Sequence, residues 1–293
     1  MSRVDAPSRN EEFTHEGWTF RCSTSHILPS QCTQPCDSNT KLCSYCLFTK
    51  ELPQLPHLPE MVYPNNRLEI VHDKSGSVIE FNALDALKLV KSENKSVKIA
   101  CAEDWRRARQ DTGLVDKTIG EFDWTFSTDY CGTMKNWAKE EETQTVIDTN
   151  KLRQKEEILL YKEVTLFEDE LHDNGIALCS VRIRVMPSGY FALLRYFLRV
   201  DGVILSVYDT RVYHDFTTNY VLTESTHREG KVSEMKLPIY KMNEPDEVTP
   251  LIPLEKTILL KLILPADKGK TFFFRYCMVK LFVFPKLYFL FKV

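Results

Sequence analysis

Four cysteines are spaced for metal chemistry: Cys32-x3-Cys36-x6-Cys43-x2-Cys46. Four thiolates around one zinc ion satisfy its preference for a tetrahedron. The two pairs stand only six residues apart, however, whereas zinc ribbons leave a longer span between their knuckles. On spacing alone the preferred reading is a disordered, Cys-containing insert, and a zinc-stapled interaction scaffold is the alternative. A second constellation, Glu168-Asp169-Glu170-Leu171-His172-Asp173, offers hard-metal ligands or acid/base pairs. A metal-dependent hydrolase built on Glu168, Asp169, His172 and Asp173 is the enzymatic alternative. The plainer reading is a solvated strand end running into a turn, where acidic residues are favoured. The chain contains no G-x-S-x-G, H-E-x-x-H, P-loop or dinucleotide fingerprint, so no cofactor is expected.

Arginines form a third pattern. Arg182 and Arg184 share parity on one candidate strand, Arg195 and Arg199 share parity on the next, and Arg211 follows. Period-two geometry places the members of each pair on one sheet face. Such a strip could receive an acidic partner, but cross-strand pairing with Glu163, Glu168 and Glu170 is preferred, because the acidic strand is the sequence neighbour. Asp85 and Asp209 each have two readings. One is structural, a capping acid and a strand end; the other is an exposed contact.

Composition narrows the class. A formal net charge of -3 argues against nucleic acid or an anionic membrane surface as a partner. No uncharged apolar run approaches the ~18 residues a spanning helix needs. The opening MSRVDAPSRNEEF lacks the apolar core of a secretory leader. Nine cysteines, an odd number, then read as reduced thiols, and the expected compartment is cytoplasmic or nuclear.

These groups must be positioned by strands. From Val164 to His214 three apolar/charged alternating segments are separated by His172-Asp173-Asn174-Gly175, Pro187-Ser188-Gly189 and Asp201-Gly202. Turn residues at these points predict an antiparallel meander. Gly17-Trp18-Thr19-Phe20 opens an earlier strand, and Leu68, Ile70 and Val78-Ile79 flank the turn Asp73-Lys74-Ser75-Gly76. Asn82 with Asp85 resembles a capping box for a short helix carrying Leu84, Leu87 and Val90. Val97 and Ile99 read as a strand, 102–109 as a turn or two of helix, and Phe122, Trp124 and Phe126 as a strand with an aromatic face. Residues 134–146 read as a loop, Asp148 as the cap of a helix through about Lys155, Tyr220–Thr223 as a strand and Leu254–Leu262 as a helix.

The expected class is α+β: one antiparallel-sheet-dominated domain with a few short helices over 14–266. Residues 1–13 are expected to be disordered, and a Cys/Pro-rich insert at about 30–57 to be an irregular surface excursion. The segment 267–293 is an aromatic tail interrupted by Arg275, Lys280, Lys286 and Lys292, too often charged to span a bilayer.

The phrases LPEMVYPNNRLEI, IEFNALDAL, VKIACAEDW, FDWTFSTDYCGT, VIDTNKL, LFEDELHDNG, VRIRVMPSGYFALLRYFLRVDGV and DTRVYH occur in this order. Together they resemble the TIP-forty-one-like (TOR signalling pathway regulator-like) family from about Phe13 to Ala266. The resemblance implies a non-enzymatic regulator that binds catalytic subunits of type 2A-family serine/threonine protein phosphatases and modulates them in TOR signalling. It also implies a single sheet-dominated domain. Carried over onto matching motifs, the implied partner contacts are Asp85 in FNALDAL, Ile147 in VIDT, Asp209 in YDTR and Val207 two residues before it. If the two acids are exposed contacts, neutralising both weakens binding and leaves stability unchanged. The Cys-rich stretch and the aromatic tail depart from the family pattern.

Overall fold

The computed structural model describes residues 9–32, 36, 42–55, 57–90, 125–235 and 238–265. The strand expected at Val97 and Ile99, the helix at 102–109, Phe122, Trp124 and the tail 267–293 lie outside them. The class is α+β, dominated by two antiparallel sheets. The smaller sheet has the order β1-β2-β4-β5-β6, from Arg9–His15, Trp18–Thr24, Arg67–His72, Ser77–Asn82 and Thr133–Lys135. The larger has the order β3-β8-β9-β10-β11-β12-β13-β7. Its strands are Met61–Val62, Leu160–Asp169, Gly175–Met186, Gly189–Val200, Ile204–Asp215, Tyr220–Lys231, Leu254–Ile263 and Lys139–Glu142. Among the described residues five short α-helices join them: α1 (Ser44–Glu51), α2 (Ala83–Lys88), α3 (Thr149–Arg153), α4 (Val232–Met235) and α5 (Pro245–Val248). Among the described residues none is long and apolar enough to cross a membrane.

The meander forms where its turns predict it. Pro187-Ser188 joins β9 to β10 and Asp201–Val203 joins β10 to β11, with Gly202 at φ 69°. A glycine in the left-handed region suits the last-but-one position of such a hairpin loop. Along β9 the residues Ala177, Cys179, Val181, Ile183 and Val185 are buried, and the intervening Ser180, Arg182 and Arg184 face the other way. The buried set meets the smaller sheet. Trp18 and Phe20 pack against Tyr190 with ring centroids 5.1 and 5.3 Å apart, and Trp18 lies 4.8 Å from the His214 ring. One continuous core therefore fills the space between the sheets.

Several expectations need correction. β1 takes in Arg9 to Phe13, expected to be disordered, because Glu16-Gly17 adopts positive φ (48° and 77°) and closes a tight hairpin onto β2. The Cys/Pro-rich insert is no mere surface excursion: α1 buries Phe48, and Leu52 and Leu55 follow it into the core. Within the expected loop 134–146, β6 and β7 pair with β5 and β13. Leu254–Leu262 is a strand, held by main-chain pairing to β12 on one side and β7 on the other. Phe126 is buried, but at φ 55° it lies outside any strand.

Candidate functional site

The face of the larger sheet turned away from the core carries Arg182, Arg195, Val207, Asp209 and Arg211. Strand register puts Arg195 opposite Asp209 and Phe197 opposite Val207, with Arg182 one strand further on, beside Leu193. Two segments cover this face. One is 238–252: Met242, Val248 and Ile252 pack on Phe197, Leu205 and Val207. The other leads into α3: Ile147 packs on Tyr213 and Leu222, with Leu152 alongside. Asp148 caps α3 as expected, accepting from the N–H groups of Asn150 and Lys151. Each apolar side chain so covered contributes about 1.5–3 kcal/mol to holding the segments down.

Between the two coverings lies an ion network. Arg195 Nε and Nη2 donate to the two Asp209 oxygens at 2.7 and 2.8 Å, and Nη1 donates to Asp246 at 2.7 Å. Arg182 makes a bidentate pair with Asp246, Nη1 to Oδ2 at 2.9 Å. Arg211 donates to Glu224 at 2.7 Å and lies 3.8 Å from Asp209. Asp209 has no side-chain exposure and Arg195 only 12%, whereas Asp246 is 62% exposed. Burial opposes the charge on Arg195 most strongly, yet the Asp209 hydrogen bonds and the nearby carboxylates outweigh it and raise the pKa. The Arg182 hydrogen bond holds the Asp246 carboxyl below its usual range. At the far end Asp215 is lowered to about 2: burial acts upward, and hydrogen bonds from Lys151 and Thr217 prevail.

Arg182, Arg195, Arg199 and Arg211 are paired with acids within the chain, though not with the expected ones, while Arg184 donates to the Leu152 carbonyl. Arg182 and Arg195 pair with Asp209 and Asp246 rather than with Glu163, Glu168 or Glu170. Asp246 was not singled out by the sequence; Pro245 followed by two acids is a helix-start signature, which could have found α5 but not where it docks.

The four positions implied by the resemblance fall in two places. Ile147, Val207 and Asp209 converge on the outer face, and all three are buried within the chain. The reading of Asp209 as an exposed contact is thus corrected: its side chain has no exposure and is held in a bidentate pair by Arg195. Asp85 belongs to the smaller sheet's side. Asn82 Oδ1 accepts from its N–H at 2.8 Å, and its Oδ2 accepts from Asn82 Nδ2 at 2.9 Å and Thr133 Oγ1 at 2.6 Å. The half-buried carboxylate ties the start of α2 to β6.

The acidic cluster serves the backbone. Asp169 is buried and accepts from the N–H groups of Glu60 and Leu171 at 3.0 and 2.7 Å. Leu171, His172 and Asp173 follow in left-handed conformation, with φ from 52° to 63°. Among the described residues, the potential metal-binding group of three or more side chains is the cysteine set, whose Sγ atoms lie within 4.8 Å of one another, and not this one.

A sequence profile of the TIP41-like family matches residues 61–236. The human TIP41-like protein (Homo sapiens) is 41% identical over 262 residues, covering 88% of this chain and 91% of its own. The type 2A phosphatase activator TIP41 of Saccharomyces cerevisiae is 39% identical over 194 residues, covering 61% of this chain and 54% of its own. The type 2A phosphatase activator tip41 of Schizosaccharomyces pombe is 31% identical over 224 residues, covering 76% and 83%. A profile match over more than half of the chain and relatives such as these show that the chain belongs to the TIP41-like family.

Proposed function

We propose that this chain is a non-enzymatic regulator that binds catalytic subunits of type 2A-family serine/threonine phosphatases, in the cytoplasm, through the outer face of its larger sheet. Two yeast relatives bear the name type 2A phosphatase activator, which supports the partner class. The observation that carries the choice of surface is that Ile147, about 60 residues before Val207 and Asp209 in sequence, packs on the same sheet face that those two occupy. Since these side chains are buried, their role is positioning: Asp209 fixes the guanidinium of Arg195, and Ile147 and Val207 hold the covering segments. What those segments present outward includes Val146, Tyr240 and Leu251, each more than half exposed. Exposed apolar and aromatic side chains beside a charged rim suit a protein interface of about 800 Å² per partner. Asp85, on the smaller sheet's side, is a separate second contact in this reading.

Co-elution of the full chain with a purified type 2A-family catalytic subunit tests the proposal, with phosphatase turnover of a phosphopeptide measured with and without the chain. A stoichiometric complex with altered turnover is expected, and the chain alone is expected to turn over nothing. A folded chain that elutes separately and leaves turnover unchanged defeats the proposal. Asp85→Asn tests the second contact: co-elution as strong as wild type removes Asp85 from the interface.

A further inference from the structure

We infer that Cys32, Cys36, Cys43 and Cys46 bind one zinc ion in a structural tetrathiolate site. All four cysteines precede the stretch 61–236 that the family profile matches. Their four Sγ atoms lie within 4.8 Å of one another, with Cys32 to Cys36 at 3.6 Å and Cys32 to Cys43 at 3.8 Å. With a Zn–S bond of about 2.3 Å, the edge of a tetrahedron of sulfurs is about 3.8 Å. Two of the six sulfur–sulfur distances thus already match the edge of the ligand polyhedron, and the others are at most 4.8 Å. Thiols brought together merely by hydrophobic packing are buried; these four are half-buried or exposed, at the protein surface.

The local backbone supplies what such a site needs. Cys43 is the N-cap of α1 and Cys46 lies in its first turn, so one short x2 spacing turns both sulfurs to the same side. The Cys43 N–H donates to Cys36 Sγ at 3.3 Å, a contact that orients a thiolate ligand and spreads its charge. The short separation of the two pairs is no obstacle. Six intervening residues can span about 20 Å when extended, and closing the tetrahedron needs only a return to about 4 Å. The ion would clamp the segment after β2 to α1, which is eight residues long and therefore marginal by itself. Through α1 it fixes Phe48 and Leu52 in the core.

The test is metal analysis of the full chain purified without chelator from zinc-supplemented cells, followed by cobalt exchange. The inference predicts about one zinc per chain and, after exchange, the charge-transfer and d–d bands of a tetrahedral tetrathiolate cobalt centre. Cys36→Ser and Cys43→Ser should lower zinc content by at least about tenfold, while Cys131→Ser should leave it unchanged. The cobalt spectrum of the unsubstituted chain keeps the test valid even if a serine variant fails to fold. Folded chain with less than about a tenth of an equivalent of zinc overturns the inference. So does a cobalt spectrum with fewer than four thiolates, or a mass showing the four cysteines joined in disulfides.

Discussion

Replacing Asp209 by Asn removes the charge opposite Arg195 while keeping the shape of the side chain. In the structure both Asp209 oxygens accept from Arg195, at 2.7 and 2.8 Å, and the carboxylate has no contact with solvent. An amide offers one oxygen to two donors and turns an NH2 group toward a guanidinium. Breaking a buried pair from one side costs about 3–5 kcal/mol, because the other charge stays buried. Asp246 keeps its own bond to Arg195 at 2.7 Å, so the lower end applies, about 3 kcal/mol. With a urea slope of about 3 kcal/mol/M, the unfolding midpoint should fall by about 1 M. Asp246→Asn is the control: the acid is 62% exposed, and its loss should cost below about 1 kcal/mol. Combining Asp209→Leu with Arg195→Met should recover most of the loss, since an apolar pair of similar volume needs no compensating charge. Equilibrium urea denaturation followed by tryptophan fluorescence measures all three variants against the unsubstituted chain. If Asp209→Asn lowers the midpoint no more than Asp246→Asn, the pair does not hold the face together and the reasoning is wrong. The outcome also governs binding assays: a variant that unfolds cannot report on contact, contrary to the expectation that neutralising Asp209 leaves stability unchanged.

Two further outcomes follow from the core. Burial lowers the His214 pKa from 6.5 to about 4, against a hydrogen bond to the Tyr220 carbonyl that acts upward. The unfolded chain then binds the extra proton first. Stability from this group is full above pH 6.5 and is lost as pH falls toward 4, by about 3 kcal/mol in all; urea midpoints between pH 7 and pH 4 should show the fall, and His214→Gln should flatten it. Gly189 is the other site: a Cβ there would stand 2.1 Å from the His214 carbonyl oxygen across the β10–β11 pair. Gly189→Ala should cost more than about 2 kcal/mol in the same assay, because a backbone atom cannot step aside.

The meander could be read from residues because its signals are local. Turn residues at Pro187-Ser188 and Asp201-Gly202 set the hairpins, and period-two parity put Arg182 with Arg184, and Arg195 with Arg199, each pair on one face. Caps at Asn82 and Asp148 were equally local. What failed depended on distant partners. Parity assigns a face but cannot say what covers it, and the cover over Phe197, Leu205 and Val207 comes from Met242, Val248 and Ile252 in a Pro-rich segment. β7, Lys139–Glu142, is an edge strand of charged residues with no apolar alternation to reveal it. In β13, Leu254, Ile258 and Leu262 recur at helical spacing, and only pairing with β12 and β7 decides for a strand. The insert did carry a signal that proline density masked: Phe48, Leu52 and Leu55 stand at helical spacing, and all three are buried.

The central claim is that a type 2A-family catalytic subunit docks on the covered outer face. The direct measurement is calorimetric titration of the purified catalytic subunit into the full chain, compared with Tyr240→Asp plus Leu251→Asp. Those side chains are 69% and 52% exposed on the covering segment, so the double variant should keep its thermal midpoint. Binding at one-to-one stoichiometry by the unsubstituted chain, weakened at least about tenfold in the variant, is the predicted result. Equal binding by both would contradict the choice of face, and a folded chain that releases no heat of binding at any temperature would contradict the function itself.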